Sequence, residues 1–173
     1  MSIASQTHSP HFRKEIAEPF FQLIQSGESC VVAGIAGLGK SRLLQFLLRE
    51  ETCKWYLEEE TDTTILLWVD CNRMAELSPW GLYELMFTAL LERASDNEIL
   101  RPLCQQLLPL RSESILHRNP LLSQRNLELA LRMLCNEHSV KFAFILDEFD
   151  ACYRTLEPQV LANLLALRDA HKY

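Results

Sequence analysis

Apolar residues in this chain recur at helical spacing in some segments and run unbroken in others. From Phe12 to Gln25, the residues Ile16, Phe20, Leu23 and Ile24 fall on one helical face, interrupted by Pro19, and Ser26-Gly27 ends the helix. Cys30-Val31-Val32-Ala33 is a short β-rich run that ends at Gly34, and Ser41 to Glu50 returns to helical spacing with Leu43, Leu44, Phe46, Leu47 and Leu48. Residues 51–63 are polar and acidic and predict a loop. Thr64 to Asp70 and Lys141 to Leu146 are continuous apolar runs, each leading into an acid, the pattern of strands buried on both faces of a parallel sheet. Ser78-Pro79 predicts a helix start, with Ser as the cap and Pro at the first position, running through Leu82, Leu85, Met86, Ala89 and Leu90 to about Arg93. The prolines at 102, 109 and 120 predict a broken helical insertion over 95–120. Ser123 to His138 places Leu127, Ala130, Leu131 and Leu134 on one face, and a last helix starts near Pro158. Strands alternating with helices predict an α/β fold, and Trp68, inside a strand, reads as a packing residue.

Composition narrows the function classes. The 173 residues are 48% hydrophobic and 23% charged, ordinary for one globular domain. The division read from the pattern is a disordered N-terminus over 1–11 and a single domain over 12–173. A formal net charge of -6 argues against direct nucleic-acid binding, because non-specific affinity comes from cations on phosphates. The six cysteines are scattered with no CxxC or Cys/His cluster, which supports neither a zinc site nor a redox motif and fits reduced thiols in the cytoplasm. No apolar run reaches the roughly 18 residues that span a bilayer, so no membrane association is expected. The five histidines are isolated from any motif.

Glycine usage points to one place. Only five glycines occur, and Gly34, Gly37 and Gly39 lie within six positions. They belong to Gly34-Ile35-Ala36-Gly37-Leu38-Gly39-Lys40-Ser41, which fits G-x-x-x-x-G-K-[ST] at every fixed position, a match expected by chance in well under ~1% of chains this size. Such a loop wraps backbone N–H groups around a β-phosphate, and the following helix adds its positive end. Lys40 would reach the β- and γ-phosphates and the Ser41 hydroxyl would ligate Mg²⁺. The candidate nucleotide-binding set is Gly34 to Ser41 with Arg42 after it.

A second acidic cluster, Asp147-Glu148-Phe149-Asp150, follows the apolar run that ends at Leu146. Asp147 at a strand's carboxyl end is placed to hold Mg²⁺ with Ser41. Glu148 directly after it is placed to orient and deprotonate water for attack on a γ-phosphate, so Glu148 and Lys40 are the candidate catalytic residues. Asp70 and Asn72 are polar residues at the end of the other strand.

These residues resemble those of P-loop ATPases of the AAA+ and STAND type, and most closely the ATPase domain of origin-recognition-complex-like proteins. On that resemblance Gly34 to Ser41 is the Walker A element and Asp147 to Asp150 the Walker B element in its D-E-x-D form. Leu67 to Asn72 resembles the family's second strand, and the helix over 12–25 a segment contributing to the adenine pocket. The resemblance covers about residues 12–173. It implies a three-layer α/β/α P-loop NTPase with a mostly parallel sheet, of which three strands are recognisable. It also implies ATP and Mg²⁺ as ligands, and other protein subunits or downstream domains as partners.

The family pattern continues with a sensor strand, an arginine finger and often a helical lid, whereas this sequence stops at Tyr173. The resemblance therefore implies the N-terminal part of a larger ATPase or a truncated reading frame, with weak binding and low turnover alone. Without the sensor strand, which the family places between the two Walker strands, unmet backbone groups would cost about 1–3 kcal/mol each. An alternative arrangement sets the Walker strands side by side, in the order 1-3-2. Two other functions stay open: a small nucleotide or metabolite kinase, with Arg111 and Arg118 as lid arginines, and a catalytically inactive nucleotide-binding fragment.

Overall fold

The computed structural model describes residues 12–33, 39–98 and 100–170. The expected frayed N-terminus and most of the glycine-rich loop, Gly34 to Leu38, lie outside them. The chain divides into two compact units, 1–64 and 65–173.

Among the described residues, the first unit holds three helices, α1 (Lys14–Gln25), α2 (Lys40–Leu47) and α3 (Glu50–Leu57), with a 3₁₀ turn at Glu58–Glu60. The apolar stripe of α1 buries Ala17, Phe20 and Phe21. That of α2 buries Leu43, Phe46 and Leu47. Phe21 stacks on Tyr56 of α3 with ring centroids 5.0 Å apart, and Phe12 meets Phe46 edge-on at 5.4 Å. This packing accounts for α3, which replaces the loop expected over 51–63. Its sequence is polar, but Thr52 and Leu57 are buried and Glu50 and Glu51 sit favourably in its first turn. Lys54 also pairs with Glu50 one turn away.

The second unit contains strands β1 (Thr64–Asp70, whose first residue closes the first unit) and β2 (Lys141–Asp147), with helices α4 (Pro79–Asp96), α5 (Arg101–His117), α6 (Pro120–His138), α7 (Asp150–Thr155) and α8 (Pro158–Ala170). Helices α4, α5 and α6 pack on one another. Ile65, Leu67 and Val69 of β1 join Leu82, Met86, Leu90, Leu107, Leu127 and Leu134 in the core. Each such side chain contributes about 1.5–3 kcal/mol relative to exposure. Ser78 caps α4 as expected, accepting the Gly81 N–H at 3.2 Å, and Asn119 caps α6 by accepting from Leu122 at 3.1 Å.

Of the broken insertion expected over 95–120, Arg101–His117 forms one continuous helix, and the chain breaks only on either side of it. Pro102 and Pro120 occupy helix starts, where no N–H is needed, and only Pro109 lies inside α5. Polar contacts hold α5 to its neighbours. Trp80 Nε1 donates to the Ser114 carbonyl at 2.9 Å, and Asn126 Nδ2 donates to the Leu110 carbonyl at 3.0 Å and to Glu113 at 2.9 Å.

The three-layer α/β/α architecture is overturned. The structure is 70% helical, with eight helices and two parallel strands among the described residues. The expected strand at Cys30–Ala33 is not formed: residues 28–33 have no regular structure and Val31 is 91% exposed. Four apolar residues gain little as a strand without a neighbouring ladder to satisfy their N–H and C=O groups. The expectation that both long apolar runs are buried on two faces also fails: Leu66, Trp68 and Asp70 on the alternate face of β1 are partly or largely exposed, and no residue of β2 is fully buried.

Candidate nucleotide and magnesium site

In the first unit the site begins at Gly39, the start of α2. Its φ of +82° is left-handed, a conformation open to glycine at little cost. Gly39 is the αL residue through which the chain enters the helix, and its carbonyl accepts the Leu43 N–H at 2.9 Å. Lys40 and Ser41 are therefore the first two residues of α2, and Ser41 and Arg42 are exposed. The helix start has no side-chain cap and no carboxylate in its first turn. An anion placed there meets a helix's positive end with no carboxylate from the helix's own first turn.

In the second unit, β1 and β2 are parallel neighbours, so their carboxyl ends share one edge of the sheet. Asp70 and Asp147 end the two strands there. Asp70 Oδ1 accepts the Asn72 N–H at 3.0 Å and shapes the 3₁₀ turn that follows. Both oxygens of Asp147 are engaged: Oδ1 accepts the Glu148 N–H at 3.0 Å and Oδ2 accepts from Trp68 Nε1 at 3.4 Å.

Glu148 is exposed and has a φ of +53°. An L-residue in this left-handed region costs about 1–2 kcal/mol, and such outliers gather at functional positions. Sequence reading found Glu148 by its place after Asp147 but held no sign of this backbone conformation.

Trp68 corrects another expectation. It is 49% exposed and donates to Asp147, where a packed strand residue was expected. Strand parity carried the signal: with Ile65, Leu67 and Val69 inward, Leu66, Trp68 and Asp70 must face the other way. Close to this edge in sequence, Cys71 and Cys152 are buried thiols, and the Cys71 thiol donates to the Val69 carbonyl at 3.9 Å. Burial first, then Cys152, Asp70 and Asp147, push the Cys71 thiol up to about 12.

Ser41 in the first unit and Asp147 in the second each carry a hard oxygen donor of the kind Mg²⁺ takes. Each Asp147 oxygen accepts one hydrogen bond, and a carboxylate has about four lone-pair sites, so acceptor capacity remains. No group of three or more His, Cys, Asp and Glu side chains arranged to hold a metal occurs among the described residues. Gly39, Lys40, Ser41 and Arg42 belong to the first unit and Asp147 and Glu148 to the second, while Gly34, Ile35, Ala36, Gly37 and Leu38 lie outside the described residues. No helix among the described residues is long and apolar enough to cross a membrane. No protein-family model, curated protein or solved structure matches the chain.

Proposed function

We propose that this chain binds Mg·ATP and hydrolyses it as a switch for a protein assembly. The observation that carries the reading is the complete phosphate-loop pattern from Gly34 to Ser41, opening into a helix whose start is left-handed at Gly39 and whose first turn carries no acid. The loop amides and Lys40 bind the β- and γ-phosphates. The Ser41 hydroxyl would ligate a magnesium ion, which would neutralise charge on the phosphate oxygens. Glu148 accepts a proton from the water that attacks the γ-phosphate, and its exposed carboxylate at a strand's end suits that role. The kinase reading loses its lid. Arg111 is tied to Glu84 at 2.8 Å and Arg118 stacks over Trp80 at 5.1 Å, so both serve packing within the helical unit.

The test is thermal denaturation with and without Mg·ATP, together with phosphate release. A ligand at 100 times its Kd stabilises by about 2.7 kcal/mol. The expected result is a shift that Lys40→Ala abolishes and Glu148→Gln keeps, with slow phosphate release lost in Glu148→Gln. No shift with either ATP or ADP at millimolar concentration overturns the reading. Phosphorylation of a small acceptor in preference to water would favour a kinase.

A further inference from the structure

We infer that the outward face of α5, with the turn into α6, docks an acidic amphipathic helix of a partner protein; nothing in this depends on nucleotide binding. α5 turns Leu103, Leu107 and Ser114 inward. At about 100° per residue, the side away from them carries Gln105, Leu108, Pro109, Ser112, Ile115 and Leu116. All six are exposed and none is charged. Leu108, Ile115 and Leu116 are 48%, 41% and 78% exposed. From Gln105 to Leu116 the band runs about 18 Å, at about 1.5 Å per residue. A surface helix ordinarily turns charged residues outward, so an apolar outward band marks an interaction surface. The apolar surface is taken up again past the turn by Leu121, which is 75% exposed.

Charge selects the occupant. In a chain of net charge -6, the stretch from Ser114 to Leu127 holds no Asp or Glu but contains His117, Arg118 and Arg125. Arg118 is engaged over the Trp80 ring. His117 and Arg125 line one open hollow with Asn119, Leu121 and Leu122. Arg125 is exposed and has no ion pair among the described residues. Glu113, the one acid of α5, accepts from Asn126 of α6 at 2.9 Å and lies off the band. A second copy would bring the same uncharged band and the same cations, leaving Arg125 without a carboxylate. A band about 18 Å by about 10 Å also falls short of the roughly 1,000 Å² that a stable pair of copies buries. An anionic membrane selects a helix whose polar face is rich in Lys and Arg, and the exposed band of α5 carries neither. A helix with leucines at i, i+4 and i+7 covers the band, and carboxylates at its end meet Arg125 and His117.

The probe is a synthetic helix with that leucine spacing and three glutamates at one terminus, made with the glutamates at each end in turn. A lysine version and a scrambled version are the controls. Titrated into the nucleotide-free full chain, one glutamate helix is expected to shift ¹H–¹⁵N signals within residues 105–125, with a Kd below about 1 mM. Leu116→Ser should weaken it about tenfold. Arg125→Glu should weaken it about fivefold and strengthen the lysine helix. Both side chains are exposed, so the melting temperature should not change. If Leu116→Ser does lower it, the swap in charge preference made by Arg125→Glu carries the test alone.

Neither glutamate helix binding below about 1 mM overturns the inference. So does binding that shifts signals elsewhere, or that ignores both substitutions. A concentration-dependent dimer dispersed by Leu116→Ser overturns it in favour of a second copy. Capture by phosphatidylserine vesicles, lost in Arg125→Glu, overturns it in favour of a lipid surface.

Discussion

Gly81→Ala is expected to be far more damaging than a single added methyl in the first turn of a helix suggests. A Cβ built on Gly81 lies 2.0 Å from the carbonyl oxygen of Glu76 and 3.1 Å from its carbon. The obstacle is backbone, and it is held in place: the same oxygen accepts the Ser78 N–H at 2.8 Å, and Ser78 in turn caps α4 through the Gly81 N–H. Relief requires the Glu76 peptide to retreat by on the order of 1 Å, since non-bonded atoms rest beyond 3 Å. That movement disturbs the cap. Overpacking costs about 1–3 kcal/mol and a lost cap about 1 kcal/mol. The smaller entropy of the unfolded alanine chain returns about 0.4–1 kcal/mol. The net loss is about 1–3.6 kcal/mol, which for a chain of this length lowers the melting temperature by roughly 2–14 °C. Far-UV circular dichroism gives the melt, and the fluorescence of Trp80, buried in the same helix, reports whether α4 itself loosens first. A melting temperature within about 2 °C of the parent, below what 1 kcal/mol produces, would refute the reasoning.

Gly39→Ala tests the opposite case: nothing lies within 4 Å of the added Cβ, so the cost is the left-handed backbone alone, about 1–2 kcal/mol. Amide exchange in α2 should accelerate while α4 to α6 stay protected, and unchanged exchange in α2 would count against it. Glu148→Asn should abolish hydrolysis yet leave the melting temperature equal or higher, because Asn tolerates φ near +53° better than Glu; a lower melting temperature contradicts the strain argument. For Cys71 the folded pKa is raised from 9.0 to about 12, so the folded state binds the extra proton. Its contribution to stability is full below pH 9 and is lost as pH rises from 9 through about 12. Urea midpoints at pH 8 and pH 10.5 should therefore differ less in Cys71→Ala than in the parent, and an identical difference would dismiss Cys71 as a cause.

The sequence by itself located the Ser78 cap, the apolar faces of α4 and α6, the two paired strands and the acids at their carboxyl ends. Those features are written within a few residues of one another, as capping residue or periodicity, so local reading reaches them. Tertiary structure decided the rest. Cys30–Ala33 has β-rich composition, but a strand exists only with a neighbour to bond its backbone. The acidic stretch from Glu50 becomes a helix because Phe21, far away in sequence, stacks on Tyr56. α5 runs through Pro109 because α4 and α6 grip it at Leu110 and Ser114. Trp68 reads as core until its strand partner brings Asp147 beneath the indole, and the left-handed turn of Glu148 is imposed where β2 gives way to α7. The physical reason is common to all of these: a residue's hydrogen-bond partners and burial depend on chain segments tens of positions away, and only the folded packing brings those segments together.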